Sequence, residues 1–102
     1  MAEVEERINR IRNHKSVHGL LIVDEDGKPL RSTMKPDDPM TKQYSKKVVE
    51  LAKRARSVVR DIDPMNDLTF FRVRSKRHEI MVALDKNLFL IVIQNSDDKD
   101  KE

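Results

Sequence analysis

A short acidic segment beyond the middle of the chain has the residue types of a calcium loop. Asp61, Asp63, Asn66 and Asp67 bring carboxylate and amide oxygens close together in sequence. A calcium loop of the EF-hand type also needs glycine at its sixth position and a bidentate carboxylate at its twelfth. Counted from Asp61, these positions hold Asn66 and Arg72. Calcium ligation therefore fails, and the segment is interpreted as a turn after a helix.

The remaining residues that could do chemistry do not form a catalytic or metal-binding pattern. His14 and His18 are four residues apart, but the predicted helix ends between them, so they cannot share one face as a zinc pair does. The third histidine, His78, falls in a predicted hairpin turn. The chain has no cysteine, and its two glycines, Gly19 and Gly27, cannot build a phosphate-binding loop. No serine lies in a nucleophile elbow. We therefore expect no catalysis, no metal, no cofactor and no small-molecule substrate.

A basic group follows this acidic segment and could contact an anionic partner. Its members are Arg72, Arg74, Lys76 and Arg77. Recognition of single-stranded nucleic acid usually needs exposed aromatic side chains on which bases stack. The chain has four aromatic residues, most of which are expected to be buried: Tyr44, Phe70, Phe71 and Phe89. We therefore expect no nucleic-acid partner, and favour a solvated hairpin or contact with an acidic segment of another protein.

The length and composition predict one small domain. The chain has 102 residues, 37% of them hydrophobic and 38% charged, so its own core is modest and burial against a second copy would add stability. Basic and acidic residues nearly balance, at 21 and 18. The longest apolar run, 88–93, is far too short to span a membrane, and the acidic N-terminus lacks the order of a signal peptide, so we expect the protein in the cytoplasm or nucleus. We assign residues 1–95 to the domain and 96–102 to a disordered charged tail.

Hydrophobic periodicity predicts an α+β fold with a five-stranded antiparallel sheet. An amphipathic helix over 3–14 carries Val4, Ile8 and Ile11 on one face. The other predicted elements, in order, are strands 17–23 and 28–33, a long helix 40–60, and strands 68–74, 79–84 and 88–94. The last strand is apolar on both faces and should be central, whereas strand 68–74 alternates with arginine and should lie at an edge.

The long helix carries two stripes at helical spacing, roughly a quarter turn apart. The first stripe is predicted to pack on the sheet: Tyr44, Val48, Leu51, Ala55 and Val58. The second is predicted to pair with the helix of another copy, because its small residues allow close approach: Ser45, Val49, Ala52, Arg56 and Val59. The alternative is that Val49, Ala52 and Val59 border a single broad arc that faces the core.

Several segments resemble the roadblock dynein light chains. The most specific are Ala55-Arg56-Ser57-Val58-Val59-Arg60-Asp61-Ile62-Asp63-Pro64 and Asn66-Asp67-Leu68-Thr69-Phe70, followed by segments 72–76 and 79–83. Segments 4–6, 29–33, 43–44 and 91–95 are similar as well, so the resemblance extends over residues 3–95. The chain departs from its relatives at Leu84, where they commonly have proline, and in the extra charge of segment 35–47.

The resemblance implies a non-catalytic light chain of the dynein motor that dimerises with itself or a close paralogue. In that family the third strands of two copies pair into a ten-stranded sheet, which here assigns the interface to Leu68, Thr69, Phe70, Phe71, Arg72, Val73 and Arg74. The implied partner is the dynein intermediate chain, and we expect its amphipathic segment to dock beside Val4, Ile8 and Ile11. The implied location is the microtubule-associated dynein complex of the cytoplasm, or that of a cilium or axoneme. The alternative function is a scaffold or regulator of a small GTPase.

Overall fold

The computed structural model describes residues 17–35 and 37–95, together with Glu6. Five strands and one long helix follow one another along these residues. They are β1 (Val17–Asp24), β2 (Pro29–Ser32), α1 (Pro39–Ile62), β3 (Phe70–Arg74), β4 (His78–Asp85) and β5 (Leu88–Asn95). The predicted α+β class and the order of elements from residue 17 onward are confirmed. The predicted helix 3–14, with Val4, Ile8 and Ile11, and the predicted tail 96–102 lie outside the described residues apart from Glu6.

The strands form one antiparallel sheet in the order β2-β1-β5-β4-β3. β5 lies at the centre, where Phe89 is opposite Val23 of β1 and Ile91 is opposite Val82 of β4. The predicted central position of strand 88–94 is therefore confirmed, as is the predicted edge position of strand 68–74. A strand buried on both faces needs apolar residues at successive positions, which explains the unbroken apolar run of β5.

The two edges of the sheet differ in length and regularity. β2 has four residues, all exposed, and begins at Pro29, which has no backbone donor. Its pairing with β1 shifts register between Ile22 and Val23. β3 has five residues and pairs with β4 without a shift, from Phe70 opposite Ala83 to Arg74 opposite Glu79.

The limits of α1 follow from its capping residues. Asp38 has an extended backbone, and its side-chain Oδ1 accepts a hydrogen bond from the Met40 amide at 2.9 Å. Pro39 occupies the first helical position, where its missing donor costs nothing. At the other end Asp63 precedes Pro64, and proline disfavours helical backbone in the residue before it. The helix therefore ends at Ile62.

The main core lies between α1 and one face of the sheet, which we call the helix-side face. Its buried residues are Leu21, Val23, Val48, Val49, Ala52, Val82, Phe89, Ile91 and Ile93. The other side of the sheet, the far face, has a smaller cluster of Leu20, Ile22 and Val92, against which Met81, Leu88 and Leu90 pack. Side chains alternate along each strand. Phe71 and Val73 of β3 therefore lie on the helix-side face, and Phe70, Arg72 and Arg74 lie on the far face.

The orientation of α1 corrects the prediction for its two stripes. Ser45, Val49 and Ala52 were predicted to face another copy, but they are 1%, 3% and 0% exposed and lie against the sheet. In the stripe predicted to pack on the sheet, Val48 lies in the main core and Tyr44 packs against it, as predicted. Leu51 and Val58 of that stripe are instead 45% and 57% exposed. The broad core-facing arc, kept as an alternative, describes Val49 and Ala52 correctly. The physical reason is that the helix turns its smallest residues toward the sheet, which allows a close approach of the two backbones.

Candidate interaction surface

The outer edge of β3 is an exposed edge of the sheet that carries a large apolar side chain. β3 bonds to β4 on one side, and the described residues provide no strand on its other side. Phe71 packs toward the main core, whereas Phe70 is 49% exposed. Thr69 lies just before the strand, and its carbonyl accepts a hydrogen bond from the Leu84 amide at 2.9 Å, which extends the pairing by one residue. An edge of this kind offers unpaired backbone donors and acceptors to a further strand.

A charged cluster lies where β3 meets β4 on the far face. Arg72 Nε is 3.2 Å from Oε2 of Glu79, and Arg74 Nη2 is 3.7 Å from Oε1 of the same carboxylate. The Glu79 side chain is only 10% exposed, and the contact at its Oε2 is a charge contact without the alignment of a hydrogen bond. The arginine side chains remain 56% and 70% exposed. A buried carboxylate thus holds two guanidinium groups that still face solvent.

An exposed apolar line runs along α1, one quarter turn from its sheet-facing side. We define the exposed helix line as Leu51, Val58 and Ile62, whose spacing of seven and then four residues places them on one face. Ile62 is 80% exposed, and Met65, three residues farther along the chain, is 94% exposed. Single exposed apolar residues are common, but an aligned series marks a contact surface.

An ion pair fixes the C-terminal half of α1 beside the start of β3. Arg56 donates hydrogen bonds from Nε and Nη2 to the two carboxylate oxygens of Asp67, at 2.8 and 3.1 Å. Arg60 Nη1 is 4.0 Å from Asp67 Oδ2. The hydrogen bond from Arg56 holds the pKa of the Asp67 carboxyl below its ordinary value, and the same bond raises the pKa of Arg56. The C-terminal half of α1 is therefore linked to the segment that leads into β3.

The structure places the predicted interface residues in three different environments. Ser45, Val49 and Ala52 are buried within the protomer, while Arg56 is exposed and bound to Asp67, and Val59 is half-buried. In the predicted edge strand, Leu68 and Thr69 precede β3, and Phe70 to Arg74 form it. The prediction missed Ile62, Met65 and Glu79. Glu79 could have been found from the alternation of β4, which places it on the same face as Met81, within reach of the arginines of β3.

Neither the described histidines nor the cavity beside β2 indicates a metal or small-molecule site. The rings of His18 and His78 lie 5.3 Å apart, a contact the sequence did not predict. Across residues 17–35 and 37–95, no three histidine, cysteine or acidic side chains are grouped as metal ligands. A cavity of about 190 Å³ beside β2 is smaller than the roughly 300–1,000 Å³ of typical ligand pockets. In the same part of the chain, no helix has the length and apolarity needed to cross a bilayer.

Comparison with protein families gives a match over nearly the whole chain. The model for the Roadblock/LC7 domain matches residues 3–95, a span that includes α1, β3 and the sheet that joins them. That model describes a domain and does not indicate a family of enzymes.

Solved structures with a similar fold include bacterial proteins. A Roadblock/LC7 domain from Streptomyces avermitilis has a TM-score of 0.75 and 13% identity, covering 85% of this chain and 72% of that one. A structure titled MglB with tetrameric arrangement has a TM-score of 0.73 and 13% identity, covering 92% and 71%. MglB of Myxococcus xanthus has a TM-score of 0.67 and 13% identity, covering 88% and 71%. At such low identity these similarities concern the fold.

Proposed function

This chain belongs to the Roadblock/LC7 family, and from that premise we propose that it is a non-catalytic scaffold that dimerises and binds a partner protein. The observation that carries this proposal is the pair of exposed apolar features on one protomer, the β3 edge and the exposed helix line. On a lone protomer the β3 edge is open to pairing with another strand, and the apolar side chains of the exposed helix line lie in water. A second copy offers the same two features and can cover both at once.

Pairing of two β3 strands gives the dimer its geometry. Antiparallel pairing about a two-fold axis joins the two five-stranded sheets into one sheet of ten strands. The edge residues proposed for this contact are those of the strand and the two residues before it, Leu68 to Arg74. The exposed helix line then meets its counterpart, so Leu51, Val58 and Ile62 replace the buried Ser45, Val49 and Ala52 as the proposed helix contacts.

For the partner, one candidate is a small GTPase, which this chain would hold or regulate. Support comes from the similar structures of MglB, one of which is titled as a tetrameric arrangement, and from the bacterial Roadblock/LC7 domain. In this proposal the joined sheet is a platform for a folded protein, and the chain itself supplies no catalytic group.

The second candidate is the dynein intermediate chain, with the protein in the microtubule-associated dynein complex of the cytoplasm or cilium. It is favoured by the resemblance of segment 55–83 to roadblock dynein light chains. Segment 55–83 contains Arg56, Asp67 and β3, and so includes the ion pair that links α1 to the segment before the sheet edge. A dimer of this kind would hold two intermediate chains together and raise their effective concentration for each other.

Two measurements test the proposal at its two levels. Multi-angle light scattering should give the mass of a dimer for the unmodified chain and of a monomer for Val58→Arg. Lys53→Glu, an exposed change on the side of α1 away from Leu51 and Val58, should keep the dimer mass. Biolayer interferometry with the immobilised chain then compares purified dynein intermediate chain with purified small GTPases loaded with GDP or GTP. Saturable binding of one class decides between the candidates. If the unmodified chain is still a monomer at a concentration about 100-fold above that used for light scattering, the proposed dimeric scaffold is refuted.

A further inference from the structure

We propose that the arginines of β3 form a basic seam on the far face of the dimer, and that this seam binds an acidic amphipathic segment of the partner protein. The inference rests on the proposed dimer and adds the chemistry by which a partner is recognised. It starts from the side chains of Arg72, Arg74 and Glu79, because the proposed strand pairing uses only the backbone of β3.

The cluster has an unbalanced charge. Two guanidinium groups share the single carboxylate of Glu79, so each copy has one positive charge in excess. Each guanidinium has five N–H donors, and the contact with Glu79 occupies only part of them. The more than half-exposed arginine side chains can therefore direct further donors toward a carboxylate from another molecule. Exposed Arg77, in the hairpin turn after β3, adds to the same positive region.

Apolar surface adjoins these charges on the same face. Phe70 lies two positions before Arg72, so the two side chains lie about 7 Å apart along β3. On β4, Met81 is directly opposite Arg72 and is only half-buried. A partner that fits this surface must present apolar and acidic groups together, which is the pattern of an acidic amphipathic segment and not of a phosphate backbone.

The dimer doubles the surface. A two-fold axis perpendicular to the joined sheet keeps both far faces on one side, so Arg72 and Arg74 of the two copies meet across the β3 pairs. The resulting seam has four guanidinium groups and two buried carboxylates. One acidic segment can cross it only when both copies are present, which links partner binding to dimerisation.

The test uses the full chain and a synthetic probe. The probe is a fluorescein-labelled amphipathic helix of about 16 residues, or just over four turns, with leucine on one face and glutamate beside it. The control probe replaces each glutamate by lysine. Fluorescence anisotropy at 50 and 300 mM salt measures affinity, and light scattering measures mass in the same samples. The matched control variant is Arg54→Gln, which removes an exposed arginine from α1.

We expect Arg72→Gln and Arg74→Gln each to weaken binding of the acidic probe by about two- to fivefold, the range for exposed ion pairs, and the double variant by about tenfold. Glu79→Gln should have the opposite effect, because it removes the internal counter-charge and leaves both guanidinium groups to the probe. Arg54→Gln should bind as the unmodified chain does, and the lysine probe should not bind.

Different results overturn different parts of the argument. If the double variant and Arg54→Gln are both dimers and bind the acidic probe with the same affinity, the basic seam is refuted. The proposed dimeric scaffold is then unaffected. A DNA duplex that binds more tightly than the probe also refutes the basic seam, since the partner would then be a nucleic acid. A chain that is monomeric by light scattering refutes the proposed dimer, whatever the probe does.

Discussion

Replacing valine by alanine at two positions of α1 tests the orientation of the helix. Val49 is 3% exposed and lies in the main core, whereas Val58 is 57% exposed on the exposed helix line. The substitution removes the same atoms from the same helix, and alanine gains up to about 0.7 kcal/mol over valine in helix propensity at either position. A difference in stability between the variants therefore reports what surrounds each side chain.

The expected magnitudes are well separated. At Val49, losing two buried methyl groups costs about 1.6 kcal/mol in transfer free energy, and the cavity left behind adds roughly 1 kcal/mol. After the gain in propensity, Val49→Ala should lower the free energy of unfolding by about 2 kcal/mol. At Val58 less than half of the side chain is buried, so the loss of transfer free energy and the propensity gain nearly cancel, leaving about zero.

Urea unfolding monitored by circular dichroism measures the difference at a protein concentration low enough to give monomers. Val49→Ala should lower the midpoint by about 1–2 M urea, given slopes of about 1–2 kcal/mol/M for a domain of this size. Val58→Ala should leave the midpoint unchanged at low concentration and lower it only at concentrations that favour the dimer. Equal losses for the two monomeric variants would show that the helix does not present the faces described.

Three further substitutions test an ion pair, a close contact and a backbone angle. Folding lowers the pKa of Asp67 through Arg56, so this pair stabilises the fold above the ordinary carboxyl pKa and loses its effect as pH falls through the folded value. The urea midpoints of the unmodified chain and Asp67→Asn should accordingly converge below about pH 4, and a constant gap would contradict the pairing. Gly19→Ala should destabilise the fold because its new Cβ would lie 2.8 Å from Met34 Cγ and Sδ. The loss should be smaller when the substitution is made in a Met34→Ala background, and an equal loss in both backgrounds would exclude this clash. Gly27 has φ of +83°, so Gly27→Ala should cost about 1 kcal/mol of stability in thermal unfolding, and an unchanged melting temperature would refute that strain.

The order and type of the elements could be predicted because they depend on local patterns. β5 is apolar at successive positions, which is characteristic of a strand covered on both faces, and it lies at the centre of the sheet. Asp38-Pro39 and Asp63-Pro64 mark the two ends of α1 within two residues of the predicted limits. These signals need no knowledge of distant contacts.

The orientation of α1 could not be predicted in the same way. Core residues and the exposed helix line are both apolar, so their spacing gives two stripes without indicating which one faces the sheet. Packing against the sheet determines which residues of α1 are buried, and it favours the small side chains of Ser45 and Ala52. The link between Arg56 and Asp67 also depends on tertiary structure, since it connects residues eleven positions apart through a turn.

The contrast between β2 and β3 determines how large an assembly can grow. A sheet with two equally receptive margins could recruit copies without end and form a fibre. Here one margin is short, begins with a residue that cannot donate a hydrogen bond and is irregular in register, so it is poorly suited to accept another copy. In the dimer we propose, growth by strand addition would therefore stop after two copies and give a closed pair of fixed size.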